Sequence, residues 1–284
     1  MKHAPLVSIV TPSFNQAAFI QEALGSIQVQ TYDNYEHLVI DGMSTDGTVA
    51  MLQTLKEKND LHKLKWISEP DGGQSEALNK GFALAKGEII GWLNSDDRYR
   101  AGCFDSVVRA FAENPDVDIL YGDYLVVDES GKTLQVRREI EFNLFVLLYH
   151  RVLYIPTTAT FFRRRVFSEN NWLDEKLHYA MDLEFFIRLA KRGYRFKHIP
   201  QILAEFRVHP ASKSCSAPTR HRTEHQEVVF ASAPAFRRLK SPVLRRSTLS
   251  FLRSLAAAER YSEKLWKGYY WHQRRSSGVS SFNS

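Results

Sequence analysis

Short apolar stretches alternate with segments of helical period along the first third of the chain. Residues 6–10 are apolar and partly β-branched, which predicts a strand. Ile20, Ala23, Leu24 and Ile27 recur on one helix face, so residues 19–30 predict a helix. A second strand over 35–40 ends at Asp41. A helix over 48–58 follows, with Val49, Leu52 and Leu55 aligned. Strand 64–67, helix 75–85 (Ala77, Leu78, Gly81 and Leu84 on one face) and strand 89–93 complete the alternation. This order predicts a Rossmann-like α/β fold, a mostly parallel central sheet flanked by helices.

Beyond Asp97 the rhythm changes. A helix over 104–112 is stopped by Asn114-Pro115, and 119–127 with 133–137 predict a hairpin turning at Ser130-Gly131. Residues 142–154 are apolar and aromatic without a clear period. A strand over 159–162, a helix over 182–191 closed by Gly193, and strands over 196–199 and 202–208 follow. Residues 210–218 predict a connection, and 224–275 a mostly helical C-terminal region. The chain thus divides into a core over 1–212, with halves 1–98 and 99–212, and a basic helical appendage over 219–284.

Composition adds little until charge is located. A chain of 284 residues with 44% hydrophobic and 25% charged positions is an ordinary globular protein. Cys103 and Cys215 form no C-x-x-C pair, which speaks against zinc or redox chemistry and for free thiols in a reducing compartment. The N-terminus lacks a signal-peptide layout and no apolar run is long enough to span a bilayer, so a cytoplasmic location is expected. Eleven basic residues face two acidic ones between 237 and 275, which exceeds the whole-chain +6. The rest of the chain is therefore slightly acidic.

The candidate chemistry sits at the strand ends. Thr11 and Ser13, then Asp41, then Glu69 and Asp71, then Asn94, Asp96 and Asp97 follow four successive strands. Open parallel sheets bind ligands beyond their carboxyl ends. Asp96 and Asp97 are adjacent carboxylates in a loop; hard cations such as Mg²⁺ and Mn²⁺ use one or two such groups plus substrate phosphates. The same acids could instead cap the helix over 104–112. Gly72-Gly73-Gln74-Ser75 lets backbone approach a ligand at a helix N-terminus, but its spacing fits neither a dinucleotide fingerprint nor a P-loop. Asp182, at the start of a helix, is of a type that caps one.

Thr11-Pro12-Ser13-Phe14-Asn15, Asp41-Gly42-Met43-Ser44-Thr45-Asp46-Gly47-Thr48, Asn79-Lys80-Gly81 and Asn94-Ser95-Asp96-Asp97 together resemble the family 2 glycosyltransferases of the GT-A fold, over residues 5–210. The resemblance implies an inverting transfer from a UDP-, GDP- or dTDP-linked sugar with Mn²⁺ or Mg²⁺, of hexosyltransferase type. It implies that Thr11 and Pro12 line the nucleotide pocket, that Asp41 faces the base, and that Asp71 and Asn79 border the donor. Asp96 would contact ribose or sugar, Asp97 would ligate metal, and Asp182 would be the base, with Glu184 second. Arg207 would meet phosphate and His209 would complete the metal shell. The chain departs from the family in Asp41-Gly42, where two acids are usual, in Leu78, where many members have arginine, and in Met181, which replaces an acid.

A glycan or lipid-linked acceptor in cell-surface polysaccharide synthesis follows from the same resemblance. The basic, aromatic stretch 237–275 fits either packing on protein, including a second copy, or an anionic membrane surface. No nucleic-acid motif is present. The alternatives are a nucleotidyltransferase acting on sugar phosphates and a catalytically silent sugar-nucleotide-binding protein.

Overall fold

The computed structural model describes residues 4–57, 63–213, 217–233, 236 and 238–269. Cys215 and the basic residues at 237, 274 and 275 lie outside them. The N-terminal half runs β1 (Val7–Ser13), α1 (Ile20–Gln28), β2 (Tyr35–Asp41), α2 (Thr48–Glu57), β3 (Leu64–Ser68), α3 (Gln74–Leu84) and β4 (Ile89–Trp92). Next come β5 (Arg98–Tyr99), α4 (Cys103–Glu113), β6 (Ile119–Val127), β7 (Thr133–Arg137), α5 (Leu144–Tyr149), β8 (Thr160–Arg163) and α6 (Arg165–Ser168). The chain continues through α7 (Met181–Lys191), β9 (Phe196–Arg207), α8 (Pro218–Ser232) and α9 (Pro242–Trp266).

One sheet carries the strands in the order β3-β2-β1-β4-β8-β6-β9-β5, with β7 beside β6. β1, β2, β3 and β4 pair in parallel, as the alternating pattern requires, and β6 and β9 run the same way. The antiparallel β8 joins the two halves by pairing with both β4 and β6. The predicted strands 196–199 and 202–208 form one strand. Ile199 faces Gly122 and Ile202 faces the next residue, Asp123, so Pro200 and Gln201 bulge out. Proline has no N–H for the ladder, which explains why the pattern looked broken there. The apolar stretch 142–154 resolves into the short α5, capped by Asn143 through its carbonyl oxygen and the Val146 N–H.

Side chains alternate across the sheet. Ile9, Leu120 and Phe161 face a core shared with α1 and α4, while Val10, Tyr121 and Phe162 face one shared with α3 and α7. Val228, Val229, Phe236 and Leu249 belong to the second core, so the C-terminal helices are packed onto the sheet-bearing body. Gly81 brings α3 against β1: a Cβ there would lie 2.2 Å from Val10 Cγ1.

Two cations of α9 point inward. Arg260 and Lys264 pair with the buried Glu139, and Lys267 with Glu141 and Glu263. Val243, Leu244, Phe251, Leu255, Tyr261, Leu265 and Trp266 are large side chains exposed on the same helix. Part of the basic character thus serves packing within the chain. Among the described residues, no helix is long and apolar enough to cross a membrane.

Candidate active site

The acidic loop leaves β4 and is held from all sides. Asn94 Oδ1 accepts from Trp92 Nε1 and Gln74 Nε2, both at 2.9 Å. Ser95 Oγ donates to the Pro12 carbonyl at 3.0 Å. β5 intervenes before α4, whose N-cap is Gly102, so Asp96 and Asp97 do not cap that helix. That removes helix capping as the explanation for the acid pair.

The two carboxylates differ in environment. Asp97 is 1% exposed; its Oδ1 accepts from the Arg207 N–H at 2.9 Å and its Oδ2 from Asn94 Nδ2 at 3.1 Å. Burial, then the Asp96 charge, pushes its carboxyl well above the usual range. Asp96 is more open, and its Oδ2 lies 3.1 Å from His209 Nε2. Asp97, expected as the metal ligand, has both oxygens engaged in holding the loop, so Asp96 is the more open acid of the two. Asp96 and His209 are the pair that fits a divalent cation, one hard oxygen and one imidazole within reach of the same point. Among the described residues no cluster of three or more acidic, histidine or cysteine side chains surrounds such a point. The remaining ligands would have to come from substrate and solvent.

Arg207 does not meet a phosphate in this arrangement. It is 1% exposed, and its guanidinium donates to the Asp96 carbonyl at 2.9 Å, the Glu129 carbonyl at 2.5 Å and Glu22 Oε2 at 2.6 Å. Phe19 packs against it at 5.1 Å and against His209 at 4.6 Å. Arg207 thus clamps the acidic loop and sets the imidazole plane nearby. Glu22, which no sequence motif marks, sits in the first turn of α1 and closes this clamp.

The other strand tips mix support and surface. Thr11 is fully buried, with its hydroxyl 2.9 Å from His37 Nε2, and burial pushes that imidazole down to about 3. Pro12 is buried too. Asp41 is buried and accepts from Ser44 N at 2.9 Å, Ser44 Oγ, and Ser68 Oγ at 2.7 Å, so its carboxylate secures the loop instead of facing outward. Asn15 and Met43 adopt positive φ on the two loops beside it. Asn15 Oδ1 accepts from Thr45 N at 2.9 Å and ties those loops together. Asp71 is the partly open acid of this corner. It lies so close to Gly42 that a Cβ there would be 2.8 Å from Asp71 Oδ2. Burial raises the Asp71 carboxyl, and the Glu76 and Asp41 charges add to this. Gly73, at φ +126°, turns the chain into α3 where a side chain would be strained.

Across the cleft, α7 presents Asp182 in its first turn. Asp182 Oδ1 accepts from the Leu183 N–H at 2.7 Å, and burial raises its carboxyl despite that bond. Glu184 is paired with Arg188 at 2.7 Å, whereas Asp182 stands at the start of the helix. Lys213 Nζ donates to Gln74 Oε1 at 3.0 Å, so the chain Asn94–Gln74–Lys213 spans the cleft floor. Asn79 lies further along α3. Its amide is engaged with Leu173 N and O and with Glu175, bracing that loop instead of bordering the strand tips.

The model of Glycosyl transferase family 2 matches residues 8–170 of this chain. The chain belongs to that family. An uncharacterized glycosyltransferase of Mycobacterium tuberculosis is 33% identical over 192 residues, covering 67% of this chain and 71% of its own. Chondroitin synthase of Pasteurella multocida is 26% identical over 235 residues, 80% of this chain and 23% of that one. Among solved structures, Staphylococcus aureus TarS in complex with UDP-GlcNAc superposes with a TM-score of 0.65 at 20% identity, over 80% of this chain and 66% of that one. The mannosyltransferase PcManGT from Pyrobaculum calidifontis, in complex with GDP-Man and Mn²⁺, gives 0.64 at 20% identity, over 90% and 74%. The fold is GT-A, and the nucleotidyltransferase alternative is set aside.

The glycosyltransferase carries several cleft residues beyond the matched stretch: Asp182, Arg207, His209 and Lys213. To these the structure adds Glu224 of α8. Its carboxylate accepts from the backbone N–H groups of Tyr179 and Ala180, both at 2.6 Å, and of His178 at 3.2 Å. Ala180, at the N-cap of α7, has no side chain to do this. Glu224 carries no motif signal, and the turn at 72–75 marks Gln74 without pointing to its partners Asn94 and Lys213. Only the fold brings their positions together.

Proposed function

We propose that this glycosyltransferase transfers a sugar, with inversion, from a nucleotide diphosphate donor to a glycan or lipid-linked acceptor of polysaccharide synthesis. The donor is UDP- or GDP-/dTDP-linked; UDP-GlcNAc and GDP-Man in the two structural neighbours support this class. The carrying observation is the division between two acids facing one cleft: Asp96, open beside His209, and Asp182, burial-raised at the start of α7.

Asp96 and His209 would hold Mn²⁺ or Mg²⁺, which supplies charge neutralisation for the departing diphosphate. Asp71 would border the donor from the α3 side, and Asp41, Asp97 and Arg207 hold the walls in place. Asp182 takes the proton of the acceptor hydroxyl as that oxygen attacks the anomeric carbon. A raised carboxyl makes it a stronger base while its helix N-terminus still favours the anion. The donor and acceptor parts correspond to 1–98 and 99–212, with the C-terminal helices as a cover that caps α7.

Asp182→Asn keeps the shape and removes the base. Transfer should fall by about 10²–10⁴-fold while Mn²⁺-dependent donor binding persists. Unchanged turnover in Asp182→Asn would sink the assignment.

A further inference from the structure

A second cavity, of about 530 Å³, opens where α8 meets α9 and the turn after α5. Its wall contains Arg151, His221, Arg222, His225 and Arg253, and no acid. Among the described residues none of the three guanidiniums has an ion-pair partner, whereas Arg260, on the same helix as Arg253, pairs with Glu139. His225 is 6% exposed with Nε2 unpartnered, and Arg253 Nε is likewise buried without a partner. Burial and the charges of Arg151 and Arg222 push the Arg253 guanidinium down. Burial, with Arg253, His221 and His150, pushes His225 down to about 4. The first turn of α8 faces the same space, starting at Pro218 with no side-chain cap, so its positive end adds to the field.

Such a cluster repels itself unless an anion enters. Forked guanidiniums match phosphate oxygens bidentately, and three permanent cations suit a group of more than one negative charge. Its place identifies the owner of that group. The His221 ring lies 6.4 Å from that of Tyr179, in the turn leading into α7. Glu224, one turn along α8 from His221, holds the Tyr179 and Ala180 N–H groups that open α7, so the cavity borders the base. We propose that this cavity binds the phosphate-bearing part of the acceptor, a phosphodiester or diphosphate, and so presents the acceptor hydroxyl to Asp182. This assignment of an acceptor rests on the transferase reading above, but binding can be read without transfer.

The test uses the full chain with ¹⁵N-labelled histidine, in EDTA, titrated with inorganic pyrophosphate. The expected result is a saturable shift of the His225 resonance and a rise in its pKa from about 4. Arg253→Gln and Arg222→Gln should each weaken binding at least about tenfold, a loss of roughly one charge-assisted contact. Asp96→Asn should leave it unchanged. Without anion, Arg253→Gln should melt no lower than the parent, since it relieves repulsion, which separates lost binding from lost folding. No saturable shift, a shift that survives both arginine variants, or one abolished by Asp96→Asn overturns the proposal. Farnesyl diphosphate binding tighter than pyrophosphate assigns the site to a lipid-borne phosphate, and equal binding to a soluble one. Glucuronic acid binding tighter than either overturns the phosphate assignment. Normal transfer by Asp182→Asn would remove the base and leave this anion site standing.

Discussion

Glu224→Gln tests how the C-terminal helices support the chemistry. The variant keeps the side-chain shape and one acceptor oxygen but removes the charge. At present that carboxylate receives two backbone N–H groups at 2.6 Å and one at 3.2 Å, all from the turn that opens α7. Hydrogen bonds to a charged group contribute about 1.5–3 kcal/mol each when well buried. Glu224 is only half-buried and glutamine retains one bond, so solvent screening brings the net loss to about 1–2 kcal/mol. For a chain of this length that is a fall in Tm of about 2–8 °C. The second consequence is electrostatic. The Glu224 charge helps to raise the Asp182 carboxyl, after burial. A base must be ionised, so kcat/KM falls as pH drops through the raised Asp182 pKa. Removing the neighbouring charge lowers that pKa, and the acid limb of the profile should move to lower pH. Thermal unfolding by circular dichroism and a pH–rate profile on the same preparation give both readouts. A variant that melts with the parent and has an unmoved acid limb refutes the capping argument.

The roles divided between Asp96 and Asp97 separate experimentally: Asp96→Ala should abolish Mn²⁺-dependent donor binding measured by calorimetry, while Asp97→Asn should weaken it far less. Asp97 also makes a pH prediction. Its carboxyl is raised in the fold, so the stability it contributes is complete below the unfolded pKa of about 3.9 and is lost as pH rises through the folded value. Asp97→Asn should flatten that part of the stability–pH curve in urea titrations without metal. Gly81→Ala places a methyl 2.2 Å from Val10 Cγ1 and should cost about 1–3 kcal/mol by overpacking; a variant as stable as the parent would mean that α3 can slide off β1.

The sheet was legible because its signals are local. Each strand of the donor half is an apolar run ending at a polar residue, and each helix shows one apolar stripe. What escaped was whatever depends on distance in the chain. β5 is two residues long and exists because Arg98 and Tyr99 meet Glu205 and Ala204. The site shows the same limit. Its place at the strand tips and the acids at 96, 97 and 182 were readable as residue types in position. Which of two adjacent acids points outward was not, because Asp97 is turned inward by the backbone of Arg207, 110 residues later. The same remoteness hid the inward-facing arginine: nothing near Arg207 in sequence announces Glu22 or the Glu129 carbonyl. Thr11, Asp41 and Asn79 are strand-tip and helix residues of suitable type whose hydrogen bonds the fold uses for support.

The clamp on α7 bears on how far likeness between relatives can be extended. The part of the chain that matches the family model ends at residue 170, so it includes the acidic loop and leaves out Asp182, His209 and Glu224. Two members can therefore share the whole matched stretch and still differ at all three of these positions. In this chain the start of α7 is held by a carboxylate more than 50 residues past that boundary, on a helix that also walls the arginine-lined cavity. A change in the C-terminal helices could redirect the enzyme to a new acceptor while its donor wall stayed the same.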